Sequence, residues 1–171
     1  MAKGIVAFAF GMPAGISSNA AISRIASGMA LEHGAPVLTQ RGLVSVAPGI
    51  DVSYVDERPD LPASTLEIAF QAIGWAQERG IEQMVVVCAK PHLWRCLRDL
   101  QYAIRKSGRT MALTVAPEVH TTPDEVWFCP KSTQGFHRSR ARWNVMDFFM
   151  RRVPMPVYVK IYSRLRRKFA P

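Results

Sequence analysis

The chain has 171 residues, 49% of them hydrophobic, which suits one buried core of ordinary domain size and leaves no room for a second full domain. It has no run of eighteen or more apolar residues, and Met1 to Gly4 lead straight into a six-residue apolar segment without a signal-peptide layout, so a cytoplasmic protein with no spanning helix is expected. Three cysteines, Cys88, Cys96 and Cys129, are an odd and sparse set that excludes a disulfide framework.

The net charge of +9 sits at one end. Residues 1–137 carry twelve basic and twelve acidic side chains, whereas residues 138–171 carry ten basic ones against the single acid Asp147. The globular part is therefore neutral, and the high overall pI does not mark it as a nucleic-acid-binding domain.

In chain order, Ile5 to Phe10 is a continuous apolar run suited to a central strand buried on both faces. It ends at Gly11, and the loop from Met12 to Asn19 leads to a helix that Ser18 or Asn19 can cap, with the stripe Ile22, Ile25, Ala26 and Met29. Gly34 stops that helix and Pro36 prevents its return. Val37 to Thr39 reads as a short strand, and Ile50 to Val55 alternates like an edge strand with one wet face. Beyond Pro59 and Pro62 a helix carries Leu66, Ala69, Phe70 and Ile73 inward and ends near Gly80. The strand Met84 to Cys88 leads to a helix from Pro91 to about Lys106, stopped by Gly108. Met111 to Ala116 is a further strand, with Val126 to Phe128 as a candidate for one more. Strands alternating with helices of this length predict a mostly parallel, three-layer α/β/α sheet.

Side chains able to do chemistry collect after the strands, where an open α/β sheet binds its ligands. Gly11 and Gly15 flank a turn whose backbone can approach a ligand, although the spacing is neither a Walker A loop nor a dinucleotide fingerprint. Ser64 followed by Glu67 is the pattern of a capping box; the alternative has Thr65 and Glu67 facing a ligand, with Glu67 as general acid or base. His92 and Arg95 lie three apart at a helix start, so imidazole, guanidinium and free amides together make a receptor for phosphate or carboxylate. In the competing arrangement Arg95 pairs with Asp99 on the surface and His92 is merely exposed. Cys88, His92 and Cys96 recur at metal-like spacing, but no fourth ligand is evident, and His33, His120 and His137 have no partners at ligand spacing.

These residues in this order resemble the SanA/YdcF/ElyC-like proteins, the domain of unknown function 218. That family shows Asn-Thr-x-Glu-Asn-Ala at a helix start and a Thr-Ser, aromatic, His-x-x-Arg pattern after a strand. Thr65, Glu67, Ala69, His92 and Arg95 match, while Ser64 and Ile68 replace the asparagines and Cys88 and Ala89 stand for the Thr-Ser pair. Over roughly residues 4–115 the resemblance implies a Rossmann-like sheet with a polar cleft of Gly11, Thr65, Glu67, His92 and Arg95. It also implies a link to bacterial envelope biogenesis and, from one branch of the family, S-adenosylmethionine as a cofactor.

The tail alternates basic with large apolar residues: Trp143, Val145, Phe148, Phe149 and Met150, a break at Pro154 and Pro156, then Val157, Val159, Ile161, Tyr162 and Leu165. Two amphipathic helices are expected, forming a basic C-terminal extension over 138–171 beside a Rossmann-like domain over 1–137. Either their apolar faces complete the core, or they present Arg151, Arg152, Arg164, Arg166 and Arg167 to an anionic membrane or a partner. RNA ranks third, because no recognised module accompanies the charge. The expected function is binding of a small anionic ligand at the strand ends, with Glu67 and His92 as acid or base and Gly11, Gly15, Thr65 and Arg95 as binding residues. The alternative is a non-catalytic membrane-peripheral or adaptor protein that works through its tail.

Overall fold

The computed structural model describes residues 1–42, 44–57 and 63–168, with the side chains of 164–168 outside that description. Pro59, Pro62 and the side chains of Arg164, Leu165, Arg166 and Arg167 therefore lie outside the described residues. Five strands, Lys3–Ala7 (β1), Val37–Thr39 (β2), Val52–Tyr54 (β3), Gln83–Val87 (β4) and Ala112–Val115 (β5), form one sheet in the order β3-β2-β1-β4-β5. Every neighbouring pair is parallel, with Ile5 opposite both Val37 and Val85. The fold is thus the Rossmann-like three-layer sandwich expected from the alternation of strands and helices.

Strand alternation divides the core between the two faces of the sheet. Ile5, Ala7, Val85 and Val87 pack with Ile22, Ile25, Ala26 and Met29 of helix Ser17–His33 (α1). Val6, Met84 and Val86 turn the other way, onto helices Thr65–Glu78 (α2) and Leu93–Ser107 (α3). The central strands are apolar throughout because both faces are covered. The edge strand β3 keeps one side wet, with Tyr54 44% exposed.

Four local expectations are corrected. Ile16, not Ser18 or Asn19, is the N-cap of α1. Ser18 and Asn19 are buried and turn back to β1: the Ser18 hydroxyl donates to the Phe10 carbonyl at 2.7 Å, and Asn19 Oδ1 accepts from the Phe10 amide at 2.9 Å. Val126 does not enter a strand; it lies in the short helix Asp124–Trp127 (α5), which follows helix Pro117–Thr121 (α4) and starts at Pro123 with two acids in its first turn. Phe70 is 44% exposed and meets Tyr102 edge-on instead of entering the core. The third helix begins at Leu93 rather than at Pro91, preceded by a separate 3₁₀ turn over Lys90–His92 that carries Pro91.

The tail forms helices Arg140–Arg152 (α6) and Met155–Lys168 (α7). Trp143 belongs to the same apolar cluster as Ile5 and Ile22, so the chain beyond residue 137 shares the core of the sheet. Tyr158 of α7 is 1% exposed, whereas Phe148 and Phe149, which a core-completing tail would bury, are 51% and 62% exposed. Among the described residues no helix is long and apolar enough to cross a membrane.

Candidate functional site

In the strand order β3-β2-β1-β4-β5, successive strands are added on one side of β1 up to β3 and on the other from β4, so the order reverses between the parallel strands β1 and β4, and a crevice opens beyond their carboxyl ends. The segments entering it come from four places: Phe8, Ala9 and Gly11 after β1, Gln40 after β2, Ala63 to Thr65 at the start of α2, and His92 and Arg95 after β4. Gln134, His137 and Tyr162 close it from the C-terminal side, leaving a recess of ≈ 140 Å³.

Local chemistry fixes each wall. Gly11 has φ +88°, and a Cβ there would lie 2.9 Å from Ile16 Cδ1 and 3.0 Å from Ser132 Oγ, so only glycine lets these segments meet. Asn19 Nδ2 donates to the Gly11 carbonyl at 3.1 Å and fixes the turn from beneath. Gln40 is 4% exposed and accepts from the Ala9 amide at 3.0 Å while donating to Glu57 at 3.1 Å. At α2 the capping box is present: the Ser64 amide donates to Glu67 Oε2 at 2.8 Å and the Glu67 amide donates to Ser64 Oγ at 3.2 Å. That box aims Thr65 at His92, whose Nε2 lies 3.2 Å from the Thr65 hydroxyl.

Thr65, His92, Arg95 and Gly11 thus come together. Glu67 holds the cap beside Ser64 and is not among the lining residues, and Gly15 is exposed with open space around its Cα. Asp99 does not pair with Arg95; it binds Arg98 at 2.9 Å and the Tyr158 hydroxyl at 2.9 Å. His137, Gln40, Gln134 and Tyr162 were not foreseen as site residues, since each reaches the recess from a distant segment. His137 stands 45 residues from His92, and no spacing rule links them.

Arg95 dominates the electrostatics. It is 9% exposed and forms no ion pair among the described residues; Nε has no hydrogen-bond partner, and Nη2 meets only the sulfur of Met146 at 2.9 Å. Its guanidinium lies 5.4 Å from the Trp143 ring centre. Trp143 in turn donates from Nε1 to the Pro91 carbonyl at 3.1 Å and packs edge-on against Phe10 and His92. Burial, then the Arg95 charge, then His137 push the His92 imidazole well below its usual value. Burial and then Arg95 lower His137 to about 4. Both rings are therefore neutral near pH 7, and the Nδ1 atoms of both are buried without a hydrogen-bond partner.

The recess can accept negative charge. It combines a guanidinium, neutral imidazoles, a hydroxyl and the N-terminal ends of α2 and α3, whose dipoles favour anions. Nucleophilic or metal chemistry at the cysteines has no such support. Cys88, just after β4, and Cys96, on the inner face of α3, are fully buried in the apolar cluster shared with α2, burial raises the Cys96 thiol well above its usual value, and no cluster of three or more His, Cys, Asp or Glu is poised for a metal among the described residues. Comparison with known proteins adds no relative: no family model matches the sequence, and no curated protein does.

Proposed function

We propose that the recess between β1 and β4 binds a small ligand through a phosphate or carboxylate group, with Arg95 as its counter-ion. One observation carries this reading: a guanidinium nine-tenths buried with no carboxylate partner among the described residues. An unpaired buried charge costs several kcal/mol, and stacking on Trp143 returns only about 0.5–2 kcal/mol. A bound anion supplies the missing compensation. Thr65 donates a further hydrogen bond, and Gly11 allows close approach of the backbone.

His92 is the proton-transfer group in this reading. Its ring is neutral and accepts a proton more readily once a bound anion offsets the Arg95 charge. Glu67 positions Ser64 and Thr65 through the capping box. The SanA/YdcF/ElyC-like resemblance supplies the proposed context, an anionic metabolite of the bacterial envelope. S-adenosylmethionine does not fit the recess: its sulfonium is cationic like Arg95, no acidic side chain among the described residues lines the walls to take ribose hydroxyls, and ≈ 140 Å³ falls below the roughly 300–1,000 Å³ usual for ligands of that size.

The test is thermal unfolding of the full chain with inorganic phosphate, pyrophosphate or acetate at constant ionic strength. At least one anion should raise the unfolding temperature of the wild type, by about 2.7 kcal/mol of stability at a hundredfold excess over Kd, and leave Arg95→Leu unmoved. Equal shifts in both proteins, or none in the wild type, refute the reading.

A further inference from the structure

Helix α6 is apolar on the wrong side for a helix that has docked on a sheet. Its inner face carries buried Trp143 with half-buried Met146 and Met150. On the opposite face, one helical turn apart, Val145, Phe148 and Phe149 are 60%, 51% and 62% exposed. Exposed Arg142 and Arg152 fall on that same face by helical period. The Arg152 guanidinium covers the Phe148 ring at 3.4 Å and donates to the Phe148 carbonyl at 2.9 Å. Asp147, the one acid of the tail, points elsewhere: it is partly buried and ion-paired with Arg151. On α7, Val157 and Ile161 are 48% and 45% exposed, with exposed Lys160 between them.

We propose that this outer face of α6 docks on an anionic phospholipid bilayer, with the exposed Val157, Lys160 and Ile161 of α7 as a second contact. None of its exposed apolar residues lines the recess, so the inference stands apart from the anion site. Charge complementarity selects the occupant. A surface of phenylalanines ringed by cations, with no acid beside them and ten bases to one acid over residues 138–171, matches acyl chains beneath a layer of negative head groups. A second copy paired face to face would oppose Arg142 and Arg152 to themselves, which like-charge repulsion disfavours. Phe148 and Phe149 would enter the head-group boundary while Arg142, Arg152 and Lys160 contact phosphates.

Sedimentation of the full chain with vesicles tests this. Vesicles of phosphatidylcholine and phosphatidylserine in equal amounts should bring down the protein, and phosphatidylcholine alone should not. Raising ionic strength from about 0.1 M to about 1 M, which shortens the screening length from about 10 Å to about 3 Å, should weaken the binding. Phe148→Ser with Phe149→Ser should weaken it about tenfold or more, because aromatic burial is removed at unchanged charge. Arg142→Gln with Arg152→Gln should do so through the charge arm. Both double variants change exposed positions, and an unchanged circular-dichroism melt confirms their fold. Binding that ignores the phenylalanine variant, binding to phosphatidylcholine alone, or no binding overturns the proposal. So does a dimer that the phenylalanine variant converts to monomer without any vesicle affinity, and so does retention by an oligouridine strand in place of vesicles.

Discussion

Arg95 and Arg98 stand one turn apart on α3, are both largely buried, and lie beneath the same C-terminal segment, yet their surroundings are opposite. Arg98 is stacked between Trp94 and Tyr158 at 4.7 and 4.1 Å, ion-paired with Asp99 at 2.9 Å, and bonded to the Met150 carbonyl at 3.4 Å. Tyr158 completes that cluster by donating its hydroxyl to Asp99. Around Arg95 the described residues of the same tail offer the face of Trp143 and the sulfur of Met146. One arginine fastens the tail to the domain, and the other is left without an ion pair among the described residues, which is why it is the proposed counter-ion of the ligand. The difference teaches that burial of a cation says little by itself, and that its partners decide between a structural and a binding role.

The largest expected effect tests what the two regions share. Trp143→Ala should destabilise the protein by about 3–5 kcal/mol, the usual cost of deleting a buried tryptophan, and should abolish any phosphate-dependent stabilisation. Denaturant unfolding measures it, and a loss below about 1 kcal/mol would detach α6 from the core.

The contrast itself is broken or sharpened by a matched pair of variants. Arg98→Leu leaves Asp99 buried without its cation and should cost about 3 kcal/mol. Arg95→Leu removes a buried charge that has no counter-ion and should be neutral or stabilising by about 1 kcal/mol. Similar losses in both would mean that Arg95 is as well compensated as Arg98.

The smallest effect is a pH dependence to which the recess contributes through His137 and His92. His137 titrates at about 4 when folded and near 6.5 when unfolded, so below pH 6.5 the unfolded chain takes up a proton that the native state refuses. Its contribution to stability is present above 6.5 and is lost as pH falls toward 4; His92, lowered for the same reason of burial, acts in the same direction. Asp99 acts oppositely, since burial raises its carboxyl despite Arg98, and the native state there binds the proton first. Comparison with His137→Gln isolates the imidazole: the variant should gain about 1 kcal/mol on the wild type between pH 7 and pH 5.5. Parallel stability curves for the two proteins would show that His137 titrates normally.

Much of this was legible because it is local. Apolar runs of five or six residues at Ile5 and Met84 suited doubly covered strands, and the spacing of Ile22, Ile25, Ala26 and Met29 matched one face of a helix. Ser64 and Glu67 announced their capping box, and Gly34 and Gly108 ended their helices in the left-handed conformation, φ +57° and +67°. Because ligands of an open parallel sheet lie beyond its carboxyl ends, Thr65, His92 and Arg95 were assigned to one place before any contact was known. What tertiary structure decided was partnership between distant segments. Asp99 lies at helical spacing from Arg95 and beside Arg98, and only the arrival of Tyr158 from α7 fixed which cation it keeps. His137, in the short 3₁₀ turn Gly135–Arg138, and Gln40, in the loop after β2, entered the recess from segments with no periodicity to read. The tail's apolar residues followed a single helical pattern, yet Trp143 was drawn inward and Phe148 and Phe149 were left outside. Helical period fixes which residues share a face, but only the shape of the surface beneath determines which face is turned toward it.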